Sequence, residues 1–311
     1  MRTLICGSLA YDTIMVFQDR FDRHILADKT HMLSVSFTVQ DMRREWGGCA
    51  GNIAYNLKAL GGEPVVMATI GEDGAAYRDR LGELGIATDG LRLLADTFTA
   101  QAFIITDLDD NQITAFHPGA MVRSHELHVD DVRDVALGIV APDGRDGMRQ
   151  HAAEFRAAGI RYIFDPGQGM PLFSGDELIE MIDGASAVTV NDYEAQLLGE
   201  RTGLSEEAIA RRIDALVVTL GGEGSRIHTG GATIHVPAVP AAELVDPTGC
   251  GDAYRAGLLF GMAKRWDWQK SGRLASLLGS IKIGSRGGQN HVVDRDDVAS
   301  RFEKEFGTKP W

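Results

Sequence analysis

Cysteine is scarce in this sequence of 311 residues, which contains only Cys6, Cys49 and Cys250. The three are far apart and form no C-x-x-C pair, so the pattern argues against a disulfide framework, a zinc ribbon or a dithiol redox site. Long apolar runs are also missing: no stretch approaches the ~20 residues of a membrane span, and the first residues enter a strand pattern without the apolar core of a signal peptide. We therefore expect reduced thiols in a cytoplasmic protein without a membrane anchor.

Positive charge is in deficit as well. The sequence has 31 Lys and Arg against 44 Asp and Glu, a formal net charge of −13. Proteins that neutralise a phosphate backbone show the opposite balance, so nucleic acid is not an expected partner. There is no G-x-x-x-x-G-K-[ST] string, which excludes a P-loop, and the nine histidines lack the spacing of zinc ligands.

What the sequence does contain is an alternation of short apolar runs with segments of helical spacing. The runs, which read as strands, are residues 4–6, 65–69, 137–141, 162–164, 187–190 and 216–220. Residues 50–60, 147–158 and 192–199 have helical spacing. This alternation predicts an α/β fold, a doubly wound and mostly parallel sheet flanked by helices, in a single domain over residues 1–311.

Two further segments alternate apolar and polar residues, as strands with one solvated face do. The first is residues 33–39, and the second is a hairpin of residues 101–107 and 112–116. We interpret them as parts of a small β-sheet lid whose strands are inserted at about 13–42 and 97–119.

The most informative segment is D-P-T-G-C-G-D at residues 246–252, followed by helical composition at 253–263. Glycines let backbone N–H groups turn inward at a helix start, where the helix dipole favours phosphate charge. We therefore predict an anion hole at Gly249, Cys250 and Gly251. Asp252 would lie beside it, where a carboxylate can take the proton of an attacking hydroxyl. A bare D-x-x-G could also be a loop with an Asp near a helix start.

The whole segment resembles the nucleotide-side signature of the PfkB, or ribokinase-like, family of carbohydrate and nucleoside kinases. G-G-C-A-G-N at residues 47–52 resembles the N-terminal glycine signature of that family, and N-D-Y-E at residues 191–194 matches its N-x-x-E motif. The resemblance covers nearly the whole chain. Fragments at 10–12, 43–45 and 111–121 are similar to the prokaryotic nucleoside (adenosine) kinase branch.

The resemblance implies ATP and Mg²⁺, and it admits a monovalent cation such as K⁺. The positions that it places on ATP are Asn191, Thr219, Gly221, Gly224, Thr248, Gly249, Gly251, Gly279 and Ile283. Glu194 would act on the metal and the phosphates. Because lid strands of some family members pair between subunits, a homodimer and a monomer both stay open.

Asp12 follows the first predicted strand, at the edge where open α/β sheets bind ligands. A carboxylate there can accept hydrogen bonds from two vicinal sugar hydroxyls, although a surface Asp that caps a turn is the alternative. The resemblance places Gly48 and Asn52 on the same sugar. Candidates for the wall around the base, each also explicable as lid packing, are Phe103, Gln112, Thr114 and Met121.

The resulting hypothesis is an ATP-dependent kinase that phosphorylates the ribose 5′-hydroxyl of adenosine and of inosine, guanosine and cytidine. A sugar kinase acting on ribose or a phosphorylated hexose would share the catalytic motifs. A non-catalytic nucleoside sensor would share the fold, but Asp252 argues against it because binding alone needs no base.

Overall fold

The computed structural model describes residues 1–25, 34–109 and 111–311, and its elements alternate as the sequence predicts. The strands are β1 (Arg2–Cys6), β2 (Ala10–Phe17), β3 (Val39–Gly47), β4 (Glu63–Ile70), β5 (Ala87–Leu93), β6 (Ala100–Thr106), β7 (Gln112–His117), β8 (Val135–Val140), β9 (Tyr162–Phe164), β10 (Ala187–Asn191), β11 (Ala215–Thr219), β12 (Ser225–Thr229) and β13 (Ala232–Val236). The helices are α1 (Cys49–Ala59), α2 (Ala75–Glu83), α3 (Arg145–Ala157), α4 (Gly175–Gly184), α5 (Asp192–Thr202), α6 (Glu206–Ala210), α7 (Cys250–Ala263), α8 (Trp268–Lys282) and α9 (Arg295–Phe306).

The main sheet has nine strands in the order β13-β12-β11-β10-β9-β8-β1-β4-β5. Its strands run parallel from β11 to β5, and β12 and β13 form an antiparallel edge. The predicted doubly wound, mostly parallel sheet is therefore confirmed. The chain builds outward from β1 on both sides, so a switch point lies between β1 and β8, where sheets of this kind bind ligands.

Helices cover both faces of the main sheet. Ile53 of α1 and Leu258 of α7 belong to the core on one face, with residues of α2, α8 and α9. Phe155 of α3 and Leu178 of α4 belong to the core on the other, with residues of α5 and α6. Burial from both sides explains why the central strands are continuous apolar runs. In the described residues, no helix combines the length and apolar content that crossing a bilayer requires.

A second, small sheet has the order β3-β2-β6-β7. The hairpin of β6 and β7 lies where the sequence predicts it, with Asp110 of its loop outside the described residues. β2 begins at Ala10, earlier than the start at about residue 13 that the sequence predicts for the lid, and it places Asp12 inside a sheet rather than in the loop after β1.

The predicted strand at residues 33–39 is wrong. Leu33 lies outside the described residues, and residues 34–38 are irregular; β3 begins only at Val39. Val39 pairs with Phe17, the last residue of β2, so the described residues 34–38 lie beyond the end of that strand. Phe37 instead packs its ring against Phe17, with centroids 4.8 Å apart.

We predict that Gly138→Ala lowers the free energy of unfolding by about 1–3 kcal/mol, because overpacking a tight core forces its neighbours to move. A Cβ at Gly138 in β8 would lie 2.3 Å from Cζ of the buried Phe155. Gly82→Ala in α2 is the matched control: a Cβ there would meet no atom of the described residues within 4 Å, so the substitution should raise the free energy of unfolding by about 0.5–1 kcal/mol. Urea unfolding of both variants measures the difference, and equal stabilities would contradict the packing account.

Candidate active site

Two helix N-termini meet at the carboxyl edge of the main sheet, those of α1 and α7. The Asn52 Nδ2 of α1 donates to the Asp252 Oδ2 of α7 at 2.8 Å, which joins the two glycine signatures across 200 residues of chain. The orientation of the buried Asn52 amide is fixed because its Oδ1 accepts from Gln289 Nε2 at 3.2 Å. Gln289, itself 2% exposed, also donates to the Tyr77 hydroxyl, and sequence reasoning missed both.

The loop before α7 leaves backbone donors open. Gly249, the N-cap residue, has φ +78°, and the N–H groups of Gly249, Gly251 and Asp252 donate to no acceptor in the part of the chain that the structure describes. The prediction is wrong for the Cys250 N–H, which is not open because it donates to the Pro247 carbonyl oxygen at 3.1 Å. Open N–H groups at the start of a 14-residue helix are a suitable site for an anion.

Asp252 is half-buried beside these amides. Burial raises the pKa of its carboxyl to about 6, against the opposing effects of the Asn52 hydrogen bond and the Arg255 charge. A carboxylate with such a pKa is ionised at neutral pH yet basic enough to accept a proton.

Asp12 of β2 faces the same cleft. Burial raises its pKa to about 6, and the charges of Glu45, Asp246 and Asp252 act in the same direction. Its carboxylate lies against Gly47, where a Cβ would come within 2.4 Å of Oδ2. Gly47 therefore makes room for Asp12, a role that the sequence did not reveal.

Gly48 fixes the start of α1. Its φ of +85° favours glycine, and a Cβ there would lie 2.5 Å from the Ser8 carbonyl oxygen. The same carbonyl accepts from Ala50 N at 3.0 Å, so the loop after β1 holds the helix end directly. This places Asn52 one turn into the helix, facing Asp252.

A buried ion pair behind Asp252 was missed by sequence reasoning. Arg255, one helical turn after Asp252, donates to both carboxylate oxygens of Asp165, with Nη2 2.8 Å from Oδ1. Asp165 follows β9 at the carboxyl edge of the sheet. Burial alone would lower the pKa of Arg255, but Asp165 and then Asp252 and Glu194 outweigh it and raise the pKa.

The N-x-x-E motif lies at the end of β10 as predicted, and it forms a capping box. Glu194 Oε2 accepts from Asn191 N at 2.8 Å, and Asn191 Oδ1 accepts from Glu194 N at 2.7 Å. Burial raises the pKa of Glu194. Its Oε1 accepts no hydrogen bond from the described residues and is free to face a hydrated metal.

The remaining positions assigned to ATP surround the same edge. Thr219 ends β11 in register with Asn191, and Gly221 and Gly224, with φ +55° and +91°, shape the turn that follows. Gly279 of α8 lies beside the Cys250 carbonyl, and the Ile283 carbonyl accepts from Val245 N at 2.9 Å, which ties the end of α8 to the loop before Thr248.

Only some of the residues predicted to surround the base lie on the face of the small sheet that carries the Asp12 side chain. Asp12 pairs with Ala102 of β6, and Ala102 pairs with Phe116 of β7. Two residues further along β6, Ile104 pairs with Thr114. Because every second residue of a strand faces the same side, Thr114 and Gln112 lie on the same face of the small sheet as Asp12. Phe103 is a correction: it alternates with Ala102 and faces the opposite side. Phe116, 54% exposed on the Asp12 face, was missed. Met121 lies beyond β7 in a short 3₁₀ helix (Gly119–Glu126) and is half-buried.

We predict that Arg255→Met lowers the free energy of unfolding by about 3–5 kcal/mol, because it leaves the Asp165 carboxylate buried without its cation. Arg161→Met is the matched control: Arg161 pairs with Asp214 at 2.9 Å, but both side chains are about half exposed, so the loss should stay below ~1 kcal/mol. Chemical denaturation measures both. Adding Asp165→Asn to Arg255→Met should recover part of the lost stability, and a double variant that is less stable than Arg255→Met alone would contradict the pairing.

Comparison with known proteins identifies the family of this chain. The pfkB family carbohydrate kinase model matches residues 9–295. The nucleoside kinase of Methanocaldococcus jannaschii is 31% identical to this chain over 274 residues, which cover 87% of this chain and 90% of the relative. The crystal structure of that kinase superposes with a TM-score of 0.89 and covers 97% of this chain and 98% of its own. The nucleoside kinase of Burkholderia thailandensis in complex with inosine is 51% identical, with a TM-score of 0.90 over 99% of both chains. The chain therefore belongs to the pfkB family of carbohydrate kinases and is a phosphotransferase whose acceptor is a hydroxyl group.

Proposed function

We propose that this protein is a nucleoside kinase that transfers the terminal phosphoryl group of ATP to the 5′-hydroxyl of a ribonucleoside. The observation that carries the proposal is the contact between Asn52 and Asp252 at the open amides of α7, with Asp12 facing the same cleft. The relative from B. thailandensis, described with inosine and with ADP-inosine, supports both substrates.

Asp252 is the general base. Its carboxylate takes the proton of the 5′-hydroxyl as that oxygen bonds to the γ-phosphorus and the bond from phosphorus to the ADP oxygen breaks. The N–H groups of Gly249, Gly251 and Asp252 stabilise the charge on the transferring group. Because these donors belong to a helix end, they need no reorganisation during the reaction.

The residues present fit Mg²⁺ bound together with the nucleotide. Across the described residues no three His, Cys, Asp or Glu side chains are grouped as a metal site. Mg²⁺ characteristically keeps several waters and takes one or two carboxylates besides phosphate oxygens, which Glu194 can provide with its uncommitted Oε1. When bound, the ion neutralises phosphate charge.

Ribose selection falls to Asp12, Asn52 and the backbone at Gly48. An ionised carboxylate is an acceptor only, so Asp12 suits two vicinal hydroxyl donors. The Asp12 face of the small sheet, with Gln112, Thr114 and Phe116, would close over the base. One adaptable amide and one flat ring tolerate several bases, and closure excludes water that would otherwise hydrolyse ATP.

We predict that Asp252→Asn lowers kcat by roughly 10²–10⁴-fold and leaves the nucleoside KM within several-fold, as loss of a general base does. Asp214→Asn, on the exposed surface, is the control and should keep the wild-type rate. A coupled ADP-release assay measures both. Near-normal turnover by the Asp252→Asn variant would remove this carboxylate from the mechanism.

The dependence of kcat on pH tests the role of Asp252 as general base independently of the substitution. Because its pKa is raised to about 6, the wild-type kcat should be constant above that pH and fall about tenfold per unit below it, as the base becomes protonated. Measuring kcat at saturating nucleoside reports the bound complex, so the similar pKa of Asp12 matters less. A kcat that is flat down to about pH 4.5 would contradict the assignment, since a base must lose activity when it is protonated.

We predict that 2′-deoxyadenosine has a kcat/KM at least about tenfold below that of adenosine, because the missing hydroxyl leaves Asp12 without its partner. Adenosine, inosine, guanosine and cytidine should fall within about two orders of magnitude of one another. The same assay tests ribose and fructose 6-phosphate. Efficient turnover of either sugar, with no nucleoside phosphorylated, would replace the nucleoside assignment by a sugar kinase, and turnover of none would favour a sensor.

A further inference from the structure

Lys282, the last residue of α8, is buried completely behind the loop that precedes α7. Its Nζ donates to the Asp246 carbonyl at 2.8 Å and to the Ser285 carbonyl at 2.9 Å. It forms no ion pair with a carboxylate in the described part of the chain. A buried lysine that faces backbone carbonyls, and not a carboxylate, is unusual, because an ammonium is costly to remove from water.

The surrounding contacts all lead to the anion hole. Asp246 Oδ1 accepts from Thr248 N, and its Oδ2 accepts from Gly287 N, both at 2.8 Å. The Lys282 ammonium therefore lies at the centre of a network that joins the start of the anion-hole loop to the segment after α8. Burial lowers the pKa of Lys282, and the nearby Cys250 and Asp246 oppose that shift.

The family resemblance admits K⁺, but the residues at this position do not fit it. A protein site for K⁺ replaces the hydration shell of the ion with several oxygens, mostly backbone carbonyls. Behind this loop, the carbonyl oxygens of Asp246 and Ser285 already accept from the ammonium, and both carboxylate oxygens of Asp246 already accept from backbone amides. An added cation touching the same carbonyls would also lie next to the Lys282 charge.

We propose that Lys282 is a built-in replacement for a monovalent cation and that phosphoryl transfer by this protein is independent of K⁺. The ammonium is a compact point charge with three donors, so it can satisfy the carbonyls that an ion would otherwise bind. It touches neither substrate nor reacting atoms and acts by positioning the amides of Gly249 and Gly251. The proposal rests on the phosphotransferase activity, and not on which acceptor is used.

The decisive measurement uses the wild-type protein. Its kcat and its KM for ATP, supplied as the Tris salt, are compared in KCl and in choline chloride of equal ionic strength at fixed MgCl₂. We expect both constants to agree within about twofold. The melting temperature, measured without substrate, should also be the same in the two salts. A several-fold higher rate or a higher melting temperature in KCl would overturn the proposal.

Substitutions of Lys282 test whether its ammonium group is what makes K⁺ unnecessary. Lys282→Ala opens space for an ion and should make the protein dependent on K⁺: in choline chloride kcat falls at least about tenfold, and KCl restores part of the rate and raises the melting temperature. Lys282→Met fills that space, so KCl should not rescue it. Lys304→Ala, on the exposed face of α9, should behave as the wild type in both salts. Wild-type behaviour of Lys282→Ala in choline chloride would refute the role, and if neither Lys282 variant folds, the wild-type comparison decides.

Discussion

The cleft depends on the positive charge of Arg255. Parallel strands bring their carboxyl ends to one edge, and this chain places Asp165, Glu194 and Asp252 there, partly out of water. Without a cation among them, the charge of Asp165 would raise the pKa of both Asp252 and Glu194 unopposed. Arg255 prevents this because its position, one turn after Asp252, puts it on the same face of α7. The helix that carries Asp252, the proposed base, therefore also carries a charge that lowers the pKa of this carboxyl, in addition to the larger effect of the Asn52 hydrogen bond.

Much of this arrangement could be predicted from local patterns. Strands buried on both faces are continuous apolar runs, so β1, β4 and β8 to β11 were visible in the sequence, as were the glycine-rich starts of α1 and α7. Other features depend on contacts between distant segments. β2 contains Asp12 and Thr13 and becomes a strand only because β3 and β6 pair with it. Alternation also shows that β6 has two faces without showing which one meets Asp12, and Phe103 lies on the other face. Phe116 alternates in step with Gln112 and Thr114 along β7, so alternation alone would have grouped it with them.

Arg255 and Lys282 were overlooked for a related reason. A charged residue in a helical segment is usually solvated, and no local signal marks the exceptions. Both are buried by elements that follow or precede them by tens of residues. The N-x-x-E motif shows the opposite case, in which one short pattern has two meanings. Asn191 and Glu194 stabilise the start of α5 whether or not a nucleotide is bound, so a substitution at either position would affect folding as well as the proposed contact with the metal.

The contacts proposed for the acceptor and those for phosphoryl transfer lie on different sheets. Asp12, Gln112, Thr114 and Phe116 belong to the small sheet, whereas Asp252, Arg255, Glu194 and Lys282 are attached to the main one. In evolution, a gene can therefore accumulate substitutions in β6 and β7 that admit a new acceptor while the helices holding the anion hole stay under unchanged selection. Such separation makes a change of substrate reachable through single steps that each preserve a working catalyst.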